Sequence, residues 1–288
     1  MIRLFLLGKK GLLALRNLKD EYLDQISTVV VGTDSKIQND YSNDIFELAK
    51  NRGVKAIFRK DFKEQESVAL NIAIGWRWII DSNARLVVFH DSLLPKYRGF
   101  NPLVTALING DNEVGVTAIE GVAEYDKGGI LAQKKIAISY PLKIERAIEL
   151  ISEQYAVLLN DILQNYLQNN LVPVPQDESE ATYSLWRDEK DYEIDWSLSA
   201  HEIIRFINAV SFPYNGAKTY VNDKVVRIFS AEYAGDVEIS NRTPGKVIFK
   251  DGESFTIVCG KGLICVNQFF DAEGKLIDLK NKFRIRFT

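Results

Sequence analysis

From the N-terminus to about residue 135, short apolar runs recur at regular intervals, with helical periodicity between them. Arg3–Leu7 ends at Gly8 and predicts a buried strand; Leu12–Leu18 predicts a helix. Ser27–Gly32, rich in valine, predicts a second strand. Asp44–Asn51 is helical in period, and Val54–Phe58 returns to a strand pattern. Val68–Ile74 and Leu86–Phe89 are further buried-strand segments, with Trp76–Asp81 between them as a short helix or turn. Strands apolar throughout and separated by helices predict an α/β domain, a mostly parallel sheet with helices on both faces.

The pattern then changes twice. From Leu142 to about Leu167, Ile144, Ala147, Ile148, Ile151, Tyr155, Leu158, Leu159 and Ile162 form the stripe of a packing helix. Val172-Pro173-Val174-Pro175 cannot continue it, and the acidic stretch Gln176–Ala181 reads as the start of a linker. Ser199-Ala200-His201-Glu202 is a capping box ahead of Ile203, Ile204, Phe206 and Ile207. After Pro213, Lys218–Val221, Val225–Phe229, Lys246–Phe249, Phe255–Cys259 and Leu263–Val266 are strand segments set between turn signals. The expected division is a first domain over 1–180, a linker over 181–198 and a small β-rich C-terminal domain over 199–288.

Composition narrows the class. The 288 residues are 46% hydrophobic and 26% charged with a net charge of -3, which excludes a disordered chain. No apolar run reaches the roughly 18–20 residues of a membrane helix. The N-terminus carries Arg3 too early for a signal peptide. Two cysteines, Cys259 and Cys265, make no disulfide framework, so a cytoplasmic protein is expected. The slight acidity weakens the case for a nucleic-acid partner.

Two histidines can be weighed one by one. His201 sits in a helical first turn and reads as a surface residue. His90 closes Leu86-Val87-Val88-Phe89, at a strand end where open sheets bind ligands, and is placed either for proton transfer or for a structural role. Gly8-Lys9-Lys10-Gly11 lacks dinucleotide-site spacing, no phosphate loop is present, and no Cys/His cluster has zinc spacing, so no metal is expected.

The run His90-Asp91-Ser92-Leu93-Leu94-Pro95-Lys96-Tyr97-Arg98-Gly99-Phe100-Asn101-Pro102 resembles the H-x-S-L-L-P-x-[YF]-R-G-x-x-P signature of the folate-dependent formyltransferases. Gly115-Val116-Thr117 and Asp126-Lys127-Gly128-Gly129-Ile130-Leu131-Ala132-Gln133 resemble the family's G-V-T and D-x-G-x-I-x-x-Q. Ala181-Thr182-Tyr183, Ile194-Asp195-Trp196 and Pro213-Tyr214-Asn215-Gly216-Ala217 resemble its linker and C-terminal module. The resemblance implies a Rossmann-like catalytic domain and transfer of a formyl group from N10-formyltetrahydrofolate to an amine. It assigns catalysis to His90 and Asp126. Folate contacts fall on Trp78, Ile79, Ile80, Phe100, Val122, Ala123, Glu124, Tyr125 and Asp126. The family asparagine two residues before the histidine, taken to bind the developing oxyanion, is Val88 here. Losing such a donor typically costs about 10²–10³ in rate; Asn71, Asn101 and backbone amides after His90 are candidate substitutes.

Two acceptor classes divide the family. A tRNA-binding member carries a basic loop after the second strand and a basic C-terminal module. Here Gly32–Asn51 holds Lys36 and Lys50 against Asp34, Asp40, Asp44 and Glu47, and residues 201–288 hold 13 Lys/Arg against 10 Asp/Glu. This favours a small acceptor, and the wording of the first motif with Gly75-Trp76-Arg77 is most similar to nucleotide-sugar N-formyltransferases of surface-polysaccharide (lipopolysaccharide) synthesis. The expected substrate is a nucleotide-linked amino sugar, on a dTDP carrier, with no nucleic-acid or membrane partner; relatives imply a homodimer. Lys9, Lys10, Arg77 and Arg187 are candidates for the pyrophosphate and Tyr183, Trp186 and Tyr214 for the base, with Arg77 and Tyr183 preferred. The alternatives are methionyl-tRNA formylation and, because of Val88, a catalytically impaired relative that only binds folate or a nucleotide sugar.

Overall fold

Apolar runs bounded by glycine and polar turns become strands of one sheet. In a computed structural model describing residues 1–35, 39–64, 66–280 and 284–288, the first part of the chain contains β1 (Ile2–Leu6), α1 (Gly8–Arg16), β2 (Ile26–Val31), α2 (Ser42–Asn51), β3 (Lys55–Phe58), β4 (Leu70–Ile74) and β5 (Arg85–His90). They are followed by β6 (Arg98–Gly99), α3 (Pro102–Asn109), β7 (Glu113–Glu120), β8 (Ile130–Ala137), α4 (Ile144–Leu167) and β9 (Tyr183–Ser184). Lys36 lies outside the described residues. The sheet order is β3-β2-β1-β4-β5-β7-β8; its first five strands are parallel, and β7 pairs antiparallel with both β5 and β8. The mostly parallel sheet is as expected.

The antiparallel end escaped the sequence reading for physical reasons. Edge strand β8 is half solvated and carries Gln133, Lys134 and Lys135, so it lacks a continuous apolar run. β7 is interrupted by Gly115, where a Cβ would stand 2.3 Å from the Lys134 carbonyl oxygen.

Register assigns the two faces. Leu4, Val29, Ile72 and Val87 share one face, on which Tyr155 of α4 stacks against Phe89 at 5.5 Å. α1 is tied to α4 by Lys9–Glu149 at 2.8 Å and by Asn160 Nδ2 donating to the Asn17 carbonyl at 3.0 Å. Phe5, Val30, Ala73 and Val88 line the opposite face, and Phe62, Trp76 and Ile80 cover them from the connections on either side of β4. Trp76–Asp81 is an irregular turn, and Gly75 at φ +65 starts it, where any Cβ would meet the Leu7 carbonyl oxygen at 2.6 Å.

The structure divides into two compact units: Met1–Leu103 with Glu113–Ala137 and Ala147–Leu185, and Val104–Asn112 with Ile138–Arg146 and Trp186–Thr288. The second unit adds α5 (Ala200–Ala209), β10 (Ala217–Val221), β11 (Lys224–Ile228), β12 (Glu232–Tyr233), β13 (Val247–Asp251), β14 (Ser254–Val258), β15 (Leu263–Val266), β16 (Phe269–Phe270) and β17 (Leu276–Ile277). Two four-stranded sheets result, β10-β11-β16-β17 and β12-β15-β14-β13. Their aromatic core stacks Phe269 on Phe287 at 5.3 Å, and Trp196 Nε1 donates to Thr219 Oγ1 at 3.0 Å. Cys259 and Cys265 are free thiols, and burial pushes the Cys259 thiol up to about 12. His201 is exposed, edge-on to Tyr233 at 4.4 Å.

The capping box forms as expected: Ser199 Oγ accepts from the Glu202 N–H while Glu202 Oε2 accepts from the Ser199 N–H at 2.9 Å. Ser199→Ala is expected to cost α5 about 1 kcal/mol, read as roughly fivefold faster native-state hydrogen exchange at the α5 amides.

Candidate active site

His90 is the last residue of β5, on the Val88 side of the sheet, and is 8% exposed. Its Nε2 lies 2.8 Å from the Tyr97 carbonyl oxygen and its Nδ1 3.5 Å from Asp126 Oδ1. A carbonyl can only accept, so the network assigns the resident hydrogen to Nε2. Nδ1, facing the carboxylate, is the ring nitrogen left without a hydrogen in the neutral imidazole. Asp126 Oδ2 accepts from the Gly99 N–H at 2.7 Å. The first motif supplies the imidazole and the amide, and the second supplies the carboxylate.

The remaining motif residues build the loops. Thr117 Oγ1 donates to the Ser92 carbonyl at 2.7 Å and accepts from the Leu94 N–H; Gln133 Nε2 donates to Thr117 Oγ1 and to the Leu94 carbonyl. These bonds pin the turn after His90. β6 and β9 pair in parallel, Arg98 with Tyr183 and Gly99 with Ser184. Gly99 sits at φ +102, where a Cβ would stand 2.5 Å from the Ser184 carbonyl oxygen, so this close pairing requires glycine. Gln176 and Glu178, in the stretch that reads as a linker, both bind the Arg98 guanidinium.

A second charged cluster lies beside the first. Lys10 Nζ and Tyr155 Oη both donate to the Asp91 carboxylate. Burial opposes charge on Asp91, but the Lys10 ammonium, with the Lys10 and Tyr155 hydrogen bonds, outweighs it and holds the carboxyl below its usual range. Burial, then the Asp91 charge, pushes the Tyr155 phenol well above its ordinary value.

Two sequence families cover most of the chain: formyl transferase over residues 67–158 and formyl transferase, C-terminal domain, over 187–286. The chain belongs to the formyl transferase family. A methionyl-tRNA formyltransferase of Streptococcus pyogenes serotype M6 is 33% identical over 206 residues, which is 70% of this chain and 65% of that protein. The chain spans just under two thirds of the length of such relatives. The fold matches the sugar 3N-formyl transferase WlaRD, solved with dTDP and 5-N-formyl-THF (TM-score 0.70, 18% identity, 93% of this chain and 97% of that one). It matches equally an N-formyltransferase from Helicobacter canadensis in complex with folinic acid and dTDP-3-aminofucose (TM-score 0.70, 19% identity, 93% and 99%). HypX from Aquifex aeolicus in complex with tetrahydrofolic acid is a third (TM-score 0.64, 19% identity, 96% and 45%).

Of the residues singled out for folate, Ile79, Phe100, Val122 and Tyr125 are exposed, Ile79 and Tyr125 most of all at 87% and 79%. Ala123 and Glu124 are exposed beside them, Trp78 is half-buried against Trp76, and Ile80 turns onto the sheet. The cations singled out for a pyrophosphate are partnered: Lys9 with Glu149, Lys10 with Asp91, and Arg77 with Asp34 at 2.5 Å. Arg187 and Trp186 belong to the second unit, and Tyr183 is exposed on β9. Val88 packs into the cluster around Phe5. Asn71 pairs with Leu86, two positions below Val88, and is wholly buried, so it does not replace the missing asparagine beside His90. Asn101 follows Phe100 at φ +50. Among the described residues no group of His, Cys, Asp or Glu is arranged to hold a metal ion, and no helix is long and apolar enough to cross a membrane.

The roles of Gln176, Asp91, Lys10 and Tyr155 were not evident from the sequence. Gln176 stands in a polar stretch with nothing local to set it apart, and it, like the other three, meets its partners only through the fold. A depressed carboxyl contributes stability above its unfolded pKa of about 3.9 and loses it as pH falls through the lower folded value. Asp91→Asn is accordingly expected to lower the melting temperature at pH 7 and to flatten the loss of stability below about pH 4, followed by thermal unfolding across pH.

Proposed function

We propose that this chain transfers the formyl group of N10-formyltetrahydrofolate to the amine of a nucleotide-linked amino sugar. The observation carrying the reaction is the His90–Asp126 pair at 3.5 Å, built by two motif loops at the end of β5. The folate supplies an activated formyl carbon. His90 accepts at Nδ1 the proton shed by the attacking amine and returns it to the leaving nitrogen, so the proton count closes. Asp126 stabilises the imidazolium in between and aims its Nδ1. Ile79, Phe100, Val122 and Tyr125 each expose apolar surface of the kind the flat rings of a folate would cover. Val88 contributes no donor to the developing oxyanion, so backbone N–H groups following His90 are the remaining source on this loop.

The fold match supports the sugar acceptor, with a TM-score of 0.70 to each of the two sugar enzymes against 0.56 to a methionyl-tRNA formyltransferase from Clostridium thermocellum, although 92% of that chain is covered as well. Lys50, the described cation of the segment after β2, pairs with Glu47 at 3.8 Å, leaving little for a polyanion. Initiator-tRNA formylation is the second reading, favoured by the 33% identity.

Purified protein is expected to release tetrahydrofolate with dTDP-linked amino sugars and not with methionyl-tRNA; the reverse result would establish the second reading. His90→Asn and Asp126→Asn are expected to lower kcat by about 10²–10⁴ with the far-ultraviolet circular dichroism unchanged.

A further inference from the structure

Asp126 holds the carboxylate against His90 while its own backbone lies in the left-handed region, at φ +56. A non-glycine residue there persists only when its surroundings hold it. Within its loop, Gly128 runs so close to β7 that a Cβ would stand 1.7 Å from the Glu120 carbonyl oxygen. The hydrogen bond from Gly99 fixes the side chain of Asp126, not its backbone.

The backbone is held from the segment after α4. Gln176 Nε2 donates one hydrogen to the Asp126 carbonyl at 2.7 Å and the other to the Gly128 carbonyl at 2.8 Å. Gln176 Oε1 accepts from Arg98 Nε at 3.1 Å and Nη2 at 2.8 Å. The amide orientation follows from the partners: carbonyls only accept and a guanidinium only donates. Every hydrogen-bonding atom of this carboxamide is committed. Arg98 is 1% exposed and is anchored further by Glu178, at 2.8 and 2.7 Å. The hydrogen bonds to Glu178 raise the guanidinium's affinity for its proton, and the same bonds hold Glu178 below its usual range. Upstream, Ile130 and Val174 exchange both backbone hydrogen bonds, at 2.7 and 2.8 Å, closing the other end of the loop.

We infer that Gln176 is a positioning residue for Asp126, reading the placement of Arg98 through one end of its amide and setting the carboxylate loop with the other. This rests on the transfer reading for its catalytic consequence, but the geometric consequence is independent of it. Gln176→Glu separates the two ends: a carboxylate still accepts from Arg98, yet offers no hydrogen to the carbonyls of Asp126 and Gly128. Gln176→Leu removes both links and guards against an effect peculiar to the new charge.

The test pairs kinetics with titration of the imidazoles by nuclear magnetic resonance, in which His90 and His201 are the two histidines and His201 serves as the internal control. Both variants are expected to keep their circular dichroism and a KM for the formyl donor within about threefold, while kcat falls about 10²-fold, the scale of a misplacement near 1 Å. Their pH–rate profiles and His90 titration are expected to move the way Asp126→Asn moves them, with His201 still. A His90 titration unmoved in folded Gln176→Glu and Gln176→Leu, when Asp126→Asn does move it, overturns the inference. Because that measurement needs no turnover, an Asp126→Asn protein of full activity would overturn the transfer reading alone.

Discussion

Everything at the site depends on keeping one carboxylate a fixed distance from one imidazole nitrogen, with neither residue in a regular element that would do so unaided. His90 ends its strand, and Asp126 stands in a loop with a left-handed backbone. The distance is set by what those loops lean on: the turn after His90 on Thr117 and Gln133, the Gly99 amide on Asp126, and the Asp126 backbone on Gln176. A rigid sheet under adaptable loops is the usual division of labour in such folds. Here the loops are tied down as well, by side chains of Thr117, Gln133, Asp126 and Gln176 that bond to backbone and by the Arg98 guanidinium held between Gln176 and Glu178.

The apolar floor is the second constraint. Val88 points the same way as His90 and is absorbed by Phe5, Val30 and Ala73, with Trp76 and Ile80 covering the cluster. An amide at that position would face the apolar neighbours of this cluster, whereas valine makes the sheet face continuous. The Lys10–Asp91–Tyr155 cluster braces the end of β5 from the Phe89 side of the sheet, the face away from Val88.

Strands of both units were legible within two residues of their bounds: β1, β2, β4 and β5 because a central parallel strand has no wet face, and β3, β10, β11, β13, β14 and β15 because turn signals set off short runs rich in β-branched and aromatic residues. β7 and β8 were not read, since a glycine and an alternating edge pattern blur them. His90 and Asp126 were legible through two motifs, and the structure supplies the reason for the motif spellings: Gly99 admits the Ser184 carbonyl, Thr117 and Gln133 tie the turn. What could not be read is what joins residues far apart in the chain, such as Gln176 on Asp126 or Lys10 on Asp91. Neither side chain is unusual for its local context, and only packing reveals its partner.

The peptide from Pro173 to Ser184 bonds to both loops, and it is translated after all the strands of the large sheet. A nascent chain that has emerged only as far as α4 would own the histidine, the aspartate and the sheet beneath them, yet lack the splint that brings the pair into working alignment. Synthesis order thereby leaves the Asp126 loop unsplinted until the chain has been made to about three fifths of its length.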